Sequence, residues 1–173
     1  MKFGILVFLS EILHPLIETC NLWGWHALNC HGELARIDGR FTADHYIEIL
    51  EEVMVPTVRA MNFPFPERFT FMHDNCPVHT ARVVRRWFEE RQDFDLMQWP
   101  SKSPDLNPIE NLWAIMVSEW KIRNERRSDQ LYEHVQEVWE GVRRRPQLTY
   151  NIIASMPTRL QDVIDANGSW TKY

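Results

Sequence analysis

A chain of 173 residues with 45% hydrophobic and 25% charged residues has the size and makeup of one globular domain, which argues against a disordered tail or a fibrous repeat. With 19 Lys and Arg against 24 Asp and Glu the formal net charge is -5, so the chain does not hold nucleic acid by bulk positive charge, and any such contact is local. Three cysteines, Cys20, Cys30 and Cys76, lack paired spacing, which speaks against a disulfide framework and for a reducing compartment. Cys30-His31 and Cys76-x-x-His79 offer zinc donors, but without the repeated spacing of structural zinc sites.

In chain order, the apolar run from Phe3 to Leu9 is broken by Ser10 and Glu11. It is too short to span a bilayer and no small-residue cleavage site follows, so a strand is preferred to a signal peptide. "NLWGWHALN" and "GELARIDG" are short apolar runs on either side of "CHG", a pattern that predicts two antiparallel strands with the turn at Gly32. Thr42 then caps a helix, Phe41 packs on Tyr46 as a hydrophobic staple, and Tyr46, Ile49, Leu50 and Val53 mark its apolar face up to about Val55, where Pro56 stops it.

"NFPFPE" reads as a loop. "RFTFMHD" predicts a strand, Asn75 to Pro77 a turn, and Val83, Val84, Trp87 and Phe88 one face of a helix. "FDLMQWP" is another short strand, "SKSPDLNP" a loop, and Ile109, Leu112, Trp113, Met116 and Trp120 form a helical stripe. The remainder is helical, clearest from Ser128 to Val142 and from Pro157 to Ala166, with Asn167-Gly168 as a stop. Hairpin, helix, strand, helix, strand, helix and a helical C-terminal tail make an α/β plan with connections long enough for parallel pairing.

In an open α/β sheet functional groups gather beyond the carboxyl ends of the strands. Asp74 ends one predicted strand, and Glu110 begins a helix after the next, so the two can meet at one sheet edge. Each also has a purely structural explanation. Asp74 can close an Asx turn in "DNCP". Asn107 can cap, with Pro108 in the first helical position and Glu110 closing a capping box. Glu110 nevertheless flanks the Ile109/Trp113 stripe instead of opposing it, so it can face the domain.

"HDNCPVHTA" followed a helix and a strand later by "WPSKSPDLNPIENLW" resembles the catalytic core of the mariner-type (Tc/mariner) cut-and-paste transposases of the Asp-Asp-Glu recombinase group. "LWGWHALNCHGELARIDGRFTADHYIEIL" and "IIASMPTRLQDVIDANGSWTKY" resemble the flanking parts of the same family, so that the likeness covers roughly Leu22 to Tyr173. It implies a ribonuclease H-like fold with a mixed sheet flanked by helices, and a carboxylate cluster holding two Mg²⁺ or Mn²⁺ ions for DNA strand cleavage and transfer. Asp74 and Glu110 would then be metal ligands. Asn75 and His79 also match family motif positions and are expected to support the strand-to-helix turn. Arg82, Arg85 and Arg86 on one helix face, and Lys121, Arg123, Arg126 and Arg127 beyond the next helix, are either solvated charges or a phosphate track.

The family's first triad Asp, carried on the opening strand, has no counterpart here, nor do its helix-turn-helix modules. Residues 1–20 are therefore expected to be a divergent segment and 21–173 an incomplete, N-terminally truncated catalytic domain. Loss of the central opening strand would expose two unpaired edges, which predicts that Phe3 to Leu9 fills the slot. Ser10 and Glu11 would then sit at its carboxyl end, with Glu11 a stand-in third ligand. Function is expected to be metal-dependent transposition or integration chemistry on DNA, impaired by the missing Asp, in the nucleus and with other transposase chains as partners but no membrane. The alternative is a non-catalytic remnant that binds DNA weakly or other proteins.

Overall fold

The computed structural model of the chain describes residues 4–13, 19–28, 30–61, 68–100, 103, 106–119, 128–169 and 171, with backbone alone at 4–13, 19–20 and 128–130. Strands β1 (Gly4–Leu13), β2 (Thr19–Ala27), β3 (Cys30–His31), β4 (Ala35–Ile37), β5 (Phe69–Met72) and β6 (Phe94–Leu96) form one mixed sheet. Its order is β3-β2-β1-β5-β6, with β4 also on β2. β1 lies in the centre, antiparallel to β2 and parallel to β5, with Leu6 opposite both His26 and Met72. β6 extends the parallel part through Phe69↔Phe94 and Phe71↔Leu96.

β1 runs further than the apolar run suggests. β2 is long enough to pair through Leu13, so Ser10 and Glu11 lie inside the strand, opposite Leu22 and Asn21, and not at its carboxyl end. The side chain of Glu11 lies outside the described residues. The hairpin also differs from the expected one: Cys30 and His31 are strand, paired with Ala27 and His26, so the chain reverses before "CHG". Gly32 follows, its N–H donating to the Trp25 carbonyl at 2.9 Å. A Cβ at Gly32 would stand 1.9 Å from Trp25 Nε1, so only glycine allows this close approach.

Helix α1 (Ala43–Ile49) starts as its sequence dictates, with Thr42 Oγ1 accepting from His45 N–H at 3.2 Å and Phe41 against Tyr46. Pro56 does not end it. A π-helical turn over Leu50–Met54, with helical backbone at both of its ends, leads straight into α2 (Val55–Ala60), so the helix runs on through Pro56. The Thr57 hydroxyl donates to the Val53 carbonyl there.

The remaining helices are α3 (Arg82–Glu89), α4 (Pro108–Ser118), α5 (Ser128–Arg143), α6 (Pro146–Ala154) and α7 (Met156–Asp165). α7 ends at Asn167 and Gly168, both at positive φ.

Helices cover both faces of the sheet. Trp23, Trp25 and Phe71 pack with Tyr46, Leu50, Val84 and Phe88 of the helices on one side. Their strand neighbours Leu22 and Met72 pack with Ile109, Leu112, Trp113 and Trp139 on the other. This alternation is the two-residue period of a strand buried on both faces, and it makes a three-layer α/β domain. Among the described residues no helix is long and apolar enough to cross a membrane.

Candidate active site

β5 ends at Met72, and the chain beyond it carries His73, Asp74 and a turn into α3. Asp74 uses one oxygen to hold that turn: Oδ1 accepts from the Cys76 N–H at 3.0 Å and lies 2.7 Å from His79 Nδ1. An ionised carboxylate only accepts, so His79 Nδ1–H is the donor. No protein partner of Oδ2 is found among the described residues, and the Asp74 side chain is 42% exposed while the His79 ring is fully buried. One oxygen is thus fixed by the protein, while the side chain as a whole stays partly exposed.

The Asx turn and the partly exposed acid are therefore one arrangement. Behind it, His79 stacks on His73 with ring centroids 5.2 Å apart, and Tyr46 Oη lies 3.0 Å from His73 Nδ1. This backing from Tyr46 and His73 had no signal in the sequence beyond the helical stripe and the "MHD" run.

Glu110 comes from the first turn of α4. Asn107 caps the helix, its Oδ1 accepting from Ile109 N–H at 3.3 Å, and Pro108 occupies the first turn. The capping box is closed differently from the expected form: among the described residues the Glu110 carboxylate is held by the Asn107 side-chain amide, Nδ2 to Oε1 at 3.4 Å. The Asn107 side chain thus both caps the helix and reaches the carboxylate of Glu110, which is exposed. The loop before α4 is tied to the Asp74 turn by Asn75 Nδ2, which donates to the Trp99 carbonyl at 2.8 Å.

The two acids sense each other. Partial desolvation and then the charge of Asp74 raise the pKa of Glu110. For Asp74, desolvation pushes upward, but the hydrogen bonds from His79 and Cys76 and the charges of His79 and His73 outweigh it and hold the pKa below the usual carboxylate range. The surroundings thus favour the ionised form of Asp74, whereas partial burial first and Asp74 second disfavour that of Glu110. Two carboxylates in one another's field, one with an oxygen that has no partner among the described residues, are a donor set that fits a hard divalent cation.

The other predicted residues separate. Arg82, Arg85 and Arg86 are all exposed on α3. Arg85 lines a cleft of about 610 Å³ together with Asn75, His79, Thr80 and Trp99, next to the turn that follows Asp74, whereas Arg86 is 3.9 Å from Glu90 on its own helix. Lys121, Arg123, Arg126 and Arg127 lie outside the described residues, as does Trp120.

A family model described as "DDE superfamily endonuclease" matches residues 15–132. The chain is 39% identical over 154 residues to the transposable element Tcb2 transposase of Caenorhabditis briggsae, covering 88% of this chain and 54% of that protein. In structure it is similar to the Mos1 strand transfer complex, at 19% identity and a TM-score of 0.78 over 97% of this chain and 55% of that one. It is also similar to the Mos1 transposase catalytic domain with raltegravir and Mg, at 19% identity and a TM-score of 0.74 over 97% of this chain and 85% of that one. The chain spans about half the length of the curated relative it matches. Its fold is that of a ribonuclease H-like transposase catalytic domain, and by sequence the chain belongs to the DDE superfamily endonucleases, as a homologue of the Tc/mariner transposases.

Proposed function

We propose that this chain is the catalytic core of a cut-and-paste transposase, in which Asp74 and Glu110 together hold Mg²⁺ or Mn²⁺ and the substrate is a DNA phosphodiester. The observation that carries the reading is that Asp74, just beyond the end of β5, and Glu110, in the first turn of α4, sit on segments tied together by the Asn75 to Trp99 hydrogen bond. Divalent ions, when bound, stabilise charge on the attacking and leaving oxygens of an in-line displacement. What the protein supplies is placement. His79 and the Cys76 N–H fix Oδ1 of Asp74, Asn107 steers Glu110, and Asn75 sets the loop between them.

Arg85, next to the turn that follows Asp74, fits a contact to a DNA phosphate, with Arg82 and Arg86 extending the track along α3. The DNA transactions named for Mos1 and the transposase identity of the Caenorhabditis relative support the substrate class. Self-association on transposon ends and action in the nucleus belong to the same proposal.

One observation favours a second reading, DNA binding without cleavage. The central strand β1, Gly4–Leu13, has the sequence GILVFLSEIL and carries no Asp, and Glu11 within it has a side chain one methylene longer than that of the Asp it would replace. A plasmid-nicking assay with Mg²⁺ or Mn²⁺ decides. Nicking by the wild type that is lost in Asp74→Ala and in Glu110→Ala supports the enzyme. DNA retention without nicking supports the binding module, and equal nicking by all three proteins means that neither acid is catalytic.

A further inference from the structure

The turn that fixes Asp74 brings together a set of donors that hard-ion chemistry does not call for. A carboxylate oxygen of Asp74, the sulfur of Cys76 and a ring nitrogen of His79 all lie within 4.8 Å of one another. Cys76 is a free thiol and half-buried. His79 is fully buried, and its Nε2 has no partner among the described residues.

We propose that Asp74, Cys76 and His79 form a binding site for one thiophilic divalent ion of the zinc type, which competes with the hard ion for Asp74. Thiolate and imidazole favour zinc-like ions, whereas Mg²⁺ and Ca²⁺ take oxygen donors and gain nothing from the sulfur. A tetrahedral ion with bonds of ~2.0–2.3 Å keeps its ligands within ~4 Å of one another, so the cluster closes with roughly 1 Å of side-chain movement. Asp74 and Cys76 are partly exposed, so solvent reaches two of the three donors and can supply the fourth ligand.

Coordination through Nδ1 requires the hydrogen now shared with Asp74 to leave that nitrogen. In a neutral ring it moves to Nε2, which is unpaired in either tautomer, so the exchange loses no further protein hydrogen bond. Cys76 binds as the thiolate and gives up one proton. The ion would then occupy the acid that the carboxylate pair needs. Only this inhibitory consequence rests on the function proposed above, since the site itself requires neither Glu110 nor DNA.

The test is a titration of the whole chain with Cd²⁺, a zinc surrogate, followed by the near-ultraviolet sulfur-to-cadmium charge-transfer absorption. Cys76→Ser keeps Cys20 and Cys30 and so supplies the background. The proposal expects a band saturating at one equivalent in the wild type and in Glu110→Gln, absent from Cys76→Ser and displaced by Zn²⁺ but not by excess Mg²⁺. Asp74→Asn and His79→Asn are each expected to weaken it at least ~10-fold, since losing even an outer partner of a metal ligand costs that much. An unchanged band in Cys76→Ser, or a band insensitive to both Asp74→Asn and His79→Asn, overturns the site. A band lost in Glu110→Gln also overturns it, because the ion would then belong to the carboxylate pair. Failure of nicking in Mg²⁺ with the band intact would count against the proposed function alone.

Discussion

His79 Nδ1 lies 2.7 Å from Asp74 Oδ1, with the histidine fully buried and the aspartate open to solvent, so the imidazole acts as a fixed post that aims an exposed carboxylate. Removing the post while keeping the acid is expected to loosen Asp74 without unfolding the domain. His79→Ala is therefore predicted to lower Mn²⁺ affinity and metal-dependent strand cleavage by ~10–100-fold, with metal-free DNA binding unchanged. Isothermal titration with Mn²⁺ beside the nicking assay checks it.

Glu110 is held at a cost. Its pKa is raised by desolvation and by Asp74, so the folded state disfavours its ionised form once the pH exceeds the ordinary carboxylate range. Glu110→Gln keeps the Oε1 that Asn107 reaches and removes the charge. Without divalent ions it is predicted to be more stable than the wild type, by under ~1 kcal/mol because Glu110 is exposed. That is a gain of at most ~2–4 °C in Tm. Mg²⁺ or Mn²⁺ should then raise the wild-type Tm more than that of the variant, as differential scanning fluorimetry would show.

Acid sensitivity is expected from the β2–β3 edge of the sheet. Burial, and then the neighbouring His31, lower the pKa of His26 to about 3, while burial, and then Arg143, lower that of His31 to about 4. In the unfolded chain both titrate near 6.5, so from there down toward pH 4 the unfolded state holds the extra protons. Stability is complete above pH 6.5 and falls as the pH drops, by up to ~1.4 kcal/mol per pH unit for each histidine. Denaturant unfolding at several pH values measures the slope. His73, lowered to about 3 by burial and then by His79, adds to the same slope, so His31→Gln, which retains a polar group for Thr149, is predicted to reduce it by about a third.

Gly32 offers a test of the hairpin. A methyl group there would overlap the buried Trp25 ring, and the Gly32 carbonyl also accepts from Trp139 Nε1 at 3.0 Å. Gly32→Ala is predicted to destabilise the domain by ~1–3 kcal/mol, as overpacking does, and to lower Tm accordingly. A melting curve unchanged from the wild type would contradict the placement of Cys30 and His31 in the sheet.

How far the site was legible in the sequence depends on which residue is asked about. Asp74 and Glu110 stand out because a strand end and a capped helix start are local signals, and the "NPIENLW" block carries a resemblance as well. The reach of β1 through Leu13 was hidden, because the partner that satisfies its backbone, β2, is set by pairing and not by local pattern. Pro56 misled for a related reason: a proline reads as a stop unless a π-helical turn precedes it, and nothing in "EILEEVMVP" announces one. Tyr46 and His73 looked like ordinary core residues. Their role behind His79 comes from three elements meeting, which spacing does not encode.

The most direct measurement is the position of Mn²⁺ by anomalous scattering in crystals of this chain. The account predicts a peak ~2.1 Å from an oxygen of Asp74, with Glu110 contributing to the same ion or to a second one beside it. Manganese bound to neither acid, or to Asp74 with the Glu110 carboxylate turned out to solvent, would contradict it.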